Sequence, residues 1–308
     1  MKTLLIVGFG DVARRALPEL SAHYHVVALV RTADATGQAV RRDVTPVVGD
    51  LDRPETLASL AGIAECVLHL APPDASNDRD HRTRSLVDAL SARAMLAHAN
   101  GGFRRLERVV YVSTSGVYGD CGGARVEESR PVNPQSDRAR RRVDAERVLL
   151  EWGEREAVCV SILRVPGIYA ADRLPIERLE RGTPSLRAED DVFTNHVHAD
   201  DLAHTCVAAL ARGGAGRIYN VADESEMKMG EYYDLVADRA ALPRPPRIAR
   251  ADAGGRIPPT MLSFMSESRR LVARRMKEEL GVELRYPTVR EGVPQRIDRA
   301  AAMVPKKG

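Results

Sequence analysis

An α/β fold is predicted: a doubly wound parallel sheet with a smaller C-terminal lobe. Three observations predict it. Short apolar runs alternate with helical stretches as far as about residue 170, the pattern of a parallel sheet covered on both faces. A glycine-rich turn, Gly8-Phe9-Gly10-Asp11-Val12-Ala13, directly follows the first apolar run and opens a helix. Beyond residue 170 the segments shorten and proline becomes frequent, at 175, 184, 243, 245, 246, 258 and 259.

Taken in order, Thr3–Val7 is an apolar run ending at glycine, a buried strand, and Asp11–Leu20 a helix. His25–Val30 and Thr45–Val48 are the next strands. Pro54–Leu60 then reads as a helix with proline near its first position, where the missing N–H costs nothing. Glu65–Leu70 is the fourth strand, 78–100 a long helix and Arg108–Val112 the fifth strand. Asn133–Pro134 opens a further helix, followed by strand Val158–Leu163. Helices at 199–211, 230–240 and 267–280 and a strand at Ile218–Val221 complete the reading. Residues 1–170 therefore form one domain, to which 195–225 returns. Residues 171–194 and 226–296 form the smaller lobe, and 297–308 a polar, frayed tail.

Composition sets the class. The 308 residues are 44% hydrophobic and 29% charged, ordinary for a globular chain. No run of 18 apolar residues exists, and MKTLLIVGFGD turns too soon into glycine for a signal peptide, so a cytoplasmic protein with no membrane partner is expected. Cys66, Cys121, Cys159 and Cys206 show no CxxC pairing, and no Cys/His cluster has metal-binding spacing. The net charge of +3 is too small to imply nucleic acid, and the arginines are not interleaved with aromatics.

The glycine turn has a physical reading. Gly8 permits the tight turn, Gly10 lets a pyrophosphate approach the backbone, and Ala13 lets the helix pack close to the strand. Free amides at the helix start, from Phe9, Gly10, Asp11 and Val12, then bind the anion. A dinucleotide is the expected ligand. At the end of the second strand an NAD site usually carries an acid for the ribose hydroxyls. This chain has Arg31 there, whose guanidinium suits a 2′-phosphate, so NADP is preferred, with NAD the alternative because Asp34 is near. Asp50 and Leu51 follow the third strand, where the acid can accept from the adenine amino group, with Asp52 better placed to cap the next helix. Leu70, Ala71 and Pro72 follow the fourth strand and are expected against the ribose and pyrophosphate.

These segments resemble the extended and atypical short-chain dehydrogenase/reductases of the NAD-dependent epimerase/dehydratase group. The likeness rests on GFGDVA (8–13), GDL (49–51), VLHLAPP (67–73), VVYVSTSGVYG (109–119) and PVNPQ…AE (131–146). It continues in LRVPGIYA (163–170), NHVHADDLA (195–203), GRIYNVADE (216–224) and ESRRL…EELGVELRYPT (267–288). The resemblance implies a Rossmann fold, a hydride exchanged with nicotinamide, and a nucleotide sugar or other small carbonyl or alcohol substrate bound between sheet and lobe. It also implies Val165 and Pro166 beside the cofactor and a homodimer, for which the helix at 78–100 and the arginine-rich helix opened by Asn133–Pro134 are candidates.

The group's catalytic hydroxyl falls on Thr114, with Ser115 the near alternative. Its Tyr and Lys, four apart on a helix, fall on Arg138 and Arg142. Arginine, with a pKa above about 12, cannot replace the phenol as a base. Arg142 is expected to hold ribose, and Arg138 to polarise a carbonyl or bind an anion. Asp137 with Arg141 and Arg142 with Glu146 are spaced for ordinary helix ion pairs. Tyr118, Tyr169, Asp137, His196 and His198 are the remaining proton-transfer candidates, and one of Asp200 and Asp201 is expected to cap the helix that follows His198. Two functions follow: an NADP-dependent reductase, epimerase or dehydratase, or a redox-silent NADP-binding sensor.

Overall fold

The computed structural model describes residues 1–32, 37, 44–75, 78–92 and 104–297. Among them, seven parallel strands form one sheet: β1 (Lys2–Val7), β2 (Tyr24–Val30), β3 (Thr45–Val48), β4 (Cys66–His69), β5 (Arg108–Thr114), β6 (Cys159–Val165) and β7 (Arg217–Asn220). Their order is β3-β2-β1-β4-β5-β6-β7. The order reverses between β1 and β4, and ligands of doubly wound sheets bind outside the carboxyl ends of the strands at such a switch.

Both faces of the sheet are covered, and this explains why β1 carries no polar alternation. Leu4 and Ile6 pack on one face with Ala13, Leu17 and Leu20 of α1 (Asp11–His23) and with Leu202 and Cys206 of a helix at Ala199–Arg212. Leu5 and Val7 pack on the other with Leu86 of α2 (His81–Ser91) and with Leu149 and Trp152 of α3 (Asp137–Glu156). The helix at Ala199–Arg212 is α4. A third core lies outside the sheet, built from Tyr169, Ile176, Leu186, Ile248 and Val289 with Tyr232, Tyr233 and Val236 of α5 (Met229–Arg239).

Several elements differ from the sequence expectation. α3 starts at Asp137 rather than at Asn133–Pro134, because Ser136 caps it by accepting from Ala139 N while Asn133 N donates to Val117 O. α2 runs from His81 to Ser91, capped by Asp80 through Thr83 N; of the expected 78–100 helix, residues 93–100 lie outside the described residues. The expected 267–280 helix is confined to Arg274–Leu280. Arg270 and Leu271 are extended because Arg270 N donates to Ala124 O and Leu271 N to the Asn195 side chain. Pro54–Leu60 is a 3₁₀ helix following Arg53, and Asp52 does not cap it; Asp52 is held instead by Arg82 at 2.6 and 2.7 Å. No described helix is long and apolar enough to cross a membrane.

Candidate functional site

The carboxyl end of β1 is shaped by two glycines. Gly8 has φ +97°, and a Cβ there would lie 2.5 Å from Ala71 N. The approach is this close because Leu70 N and Ala71 N both donate to Val7 O, at 2.7 and 2.9 Å. Gly10 precedes α1 with no side-chain cap, and nothing lies within 4 Å of where its Cβ would be. The 13-residue α1 thus presents its first amides without a side-chain acceptor beside a clear space, which suits an anion.

Asp11, in the first turn, is compensated: Arg173 reaches one oxygen at 2.8 Å and Arg15 the other at 3.1 Å. Phe9 and Val12 pack partly buried on the first core. Along the same sheet edge, Arg31 is exposed beyond β2, Leu51 is buried, and Asp50 accepts from Asp52 N at 3.1 Å. Arg82 donates to Pro72 O at 3.1 Å and holds the Asp52 carboxyl below its usual range, aided by Arg31. Asp34 lies outside the described residues.

Next to this edge is a cavity of about 400 Å³. Thr114, Ser115 and Gly116 at the end of β5 line it, with Arg138 of α3 and with Pro166 and Tyr169 beyond β6. Val165 is the register partner of Thr114. Thr114 Oγ1 accepts from Gly116 N at 3.2 Å, which leaves its proton free to donate. From the C-terminal half come Arg173, Tyr232, Tyr233 and Phe264, which no sequence motif singled out, and Glu267 and Arg269, which lie in the family-like ESRRL stretch but with no site role expected from it.

The two arginines behave differently. Arg138 is half-buried, with its guanidinium carbon 4.0 Å from the Phe264 ring centre. Burial pushes its pKa below the ordinary arginine value, opposed by nearby Glu267. Arg142 lies beneath the strand ends, donating to Tyr111 OH at 2.9 Å and Val112 O at 2.7 Å. Asp137 meets Arg140 at 2.5 Å, and Glu146 meets Arg164 at 2.7 Å while Arg142 turns to Tyr111 and Val112.

A phenol beside a cation is therefore present in Tyr111 and Arg142, but it is not a base. Tyr111 is fully buried, and burial pushes its hydroxyl up to about 12. The other candidates are also engaged. Tyr118 donates to Asn220 Oδ1 at 2.8 Å. Tyr169 donates to Thr288 O at 3.2 Å, and burial raises its pKa. Asp137 is exposed on its arginine pair.

His196 and His198 share one face of a short strand and meet Tyr169 edge-on at 6.1 and 5.2 Å. His198 itself caps α4 by accepting from Asp200 N at 3.2 Å, a correction to the expected Asp cap. Asp201 instead accepts from Arg285 N and Tyr286 N. His196 lines the cavity; burial drives it down to about 3, which keeps it neutral.

Behind Tyr169, burial drives the Asp223 carboxyl up to about 7. The folded chain then holds a proton that the unfolded chain releases, so Asp223 makes stability fall as pH rises from about 4 to about 7, with no further change above. Asp223→Asn is expected to remove that slope, measured as the parent-minus-variant difference in urea midpoint across the window.

Residues 4–222 match the description of the NAD dependent epimerase/dehydratase family. The chain belongs to this family. As a family member it is 28% identical over 218 residues to GDP-6-deoxy-D-mannose reductase of Pseudomonas aeruginosa, covering 62% of this chain and 68% of that one. A functionally unknown conserved protein from Silicibacter pomeroyi shares its structure at a TM-score of 0.77, with 28% identity over 95% of this chain and 96% of that one. UDP-glucuronic acid 4-epimerase from Bacillus cereus, solved in complex with NAD, superposes at 0.72 with 15% identity over 97% and 98% of the two chains. At that identity the likeness shows the fold, and the seven-stranded sheet of this epimerase/dehydratase family member is a Rossmann-like one.

Proposed function

We propose that the chain is an NADP(H)-dependent oxidoreductase acting on a small polar carbonyl or alcohol. The supporting observation is that the cavity beginning at Thr114 lies two strands along the sheet from the glycine cradle at β1, with Arg173 of its wall paired to Asp11 at the start of α1. A dinucleotide fits the residues present: Gly8 to Val12 would hold its pyrophosphate, Leu70 to Pro72 its ribose side, and Asp50 and Leu51 the adenine. Val165 and Pro166 would flank the nicotinamide end, which supplies or accepts the hydride when bound. Arg142, fixed by Tyr111 and Val112, keeps a positive field below that end. Thr114 orients the substrate oxygen.

No tyrosine or histidine of the cavity is placed to take a proton near neutral pH: burial raises Tyr169, Tyr232 and Tyr233 and lowers His196. In this reading an alkoxide formed by hydride transfer takes its proton from water, leaving hydroxide, and the reverse oxidation returns that proton to hydroxide. The same observation favours a second reading, a redox-silent NADP sensor. The cytoplasmic location and homodimer implied by family resemblance accompany either reading as proposals.

Arg31 carries the cofactor preference. Arg31→Glu is expected to weaken NADPH binding about 10–100-fold, the loss of a charge-assisted pair, and to leave NADH unchanged or tighter. Calorimetry with both cofactors reads this, and unchanged NADPH affinity would remove Arg31 from the site. Loss of nicotinamide fluorescence on adding a panel of carbonyl compounds to the NADPH complex supports the reductase. Binding without turnover across that panel, persisting in Arg138→Tyr with Arg142→Lys, supports the sensor.

A further inference from the structure

Charge in the cavity does not balance. Three guanidinium groups line it, from Arg138, Arg173 and Arg269. Arg173 is neutralised by Asp11 at 2.8 Å. Arg269 is neutralised by Glu267 at 2.9 Å and also donates to Gly119 O at 2.8 Å. Arg138 has no ion pair or hydrogen bond among the described residues. The Phe264 ring covers one face of the guanidinium, and its N–H edge meets no acceptor among the described residues.

A half-buried guanidinium loses part of its hydration, and a counter-ion would compensate it. Helix α3 places it there although Asp137, its neighbour in sequence, is spent on Arg140. Much of the remaining wall is aromatic or thioether, from Phe193, Tyr232, Tyr233, Met229 and Met261, with Thr194 and Asn195 among its neutral polar residues. The buried Nδ1 of His196 has no partner, and its ring is neutral. Among the described residues the site therefore offers one guanidinium without an ion pair, beside a largely aromatic wall.

We infer that the substrate of the proposed reaction is a small monocarboxylate, whose carboxylate pairs edge-on with Arg138 while its carbonyl or hydroxyl meets Thr114. This rests on the reading of the cavity as the substrate site. Among the described residues one cation without an ion pair matches one negative charge, which a carboxylate brings and a diphosphate exceeds, and the planar fork can grip a carboxylate edge-on. Glu267 does not oppose it, because its side chain is 3% exposed and held by Arg269. Arg138 thus sets specificity at the position where the family resemblance puts the catalytic phenol.

The test is calorimetry on the full chain saturated with NADPH, titrated with benzoate, benzamide, phenyl phosphate and UDP-glucose. Benzoate is expected to bind about tenfold or more tighter than its neutral amide. Arg138→Gln is expected to abolish the difference while NADPH affinity stays unchanged, and Arg138→Lys to retain part of it. Equal benzoate and benzamide binding would overturn the inference alone. So would a benzoate preference that survives Arg138→Gln, or tighter binding of phenyl phosphate or UDP-glucose. Absence of NADPH binding would bring down the proposed function as well.

Discussion

Replacing Glu146 with alanine is expected to destabilise the chain by about 3–5 kcal/mol, the cost of breaking a buried ion pair from one side. Glu146 and Arg164 have side chains only 5% exposed and meet at 2.7 Å. Glu146 also accepts from Ser113 Oγ at 2.5 Å. Removing the carboxylate strands a guanidinium that cannot deprotonate, and one of its nitrogens, Nη1, already lacks a partner. The Tyr118 ring at 4.7 Å gives it a weaker contact that cannot replace the charge. With folding free energies of about 5–15 kcal/mol for whole proteins, this change consumes a large share. Urea denaturation reads it as a lower midpoint at constant slope. Pairing Glu146→Leu with Arg164→Met is expected to recover most of the loss, because no charge is then left buried. A midpoint unchanged in Glu146→Ala would mean that the pair is solvated.

Gly8→Val is expected to abolish dinucleotide binding and to destabilise the fold together. The added Cβ would lie 2.5 Å from Ala71 N and 2.9 Å from Ala71 Cα, and backbone at that distance has no rotamer by which to yield. The φ of +97° adds strain for any side chain, most of all a β-branched one. Either the turn opens or the two hydrogen bonds to Val7 O break, and both move the β4 turn away from the helix start. Gly10→Ala is the informative contrast. Its Cβ meets nothing within 4 Å and its φ is −91°, so the fold should keep its stability while the new methyl occupies the space assigned to the pyrophosphate. Loss of binding in Gly8→Val with full binding in Gly10→Ala would place the phosphate elsewhere.

The sheet was legible because its central strands are local apolar runs, and a parallel strand buried on both faces asks for nothing subtler. The glycine turn was legible for the same reason: one residue type at each of two positions decides the backbone path. The arginine pairing on α3 was not. Helical spacing offers Asp137 two arginine partners and Glu146 one, but Tyr111, Val112 O and Arg164 arrive only when β5 and β6 pack beneath the helix. Counting along the family-like motif located Arg138, yet its aromatic partner Phe264 comes from the far half of the chain and has no motif of its own. Glu267 and Arg269 lay inside a stretch whose composition reads as helix. Long-range backbone pairing and the Asn195 side chain hold its early part extended instead, and local propensity could not show this.

The most direct measurement is calorimetric titration of the purified chain with NADPH, NADP, NADH and NAD. A single saturable site is expected, tighter for the phosphorylated pair, with a rise in melting temperature that grows with cofactor concentration. If none of the four dinucleotides produces heat or raises the melting temperature, the amides at the start of α1 hold no nucleotide phosphate, and the functional assignment of the cleft falls with them.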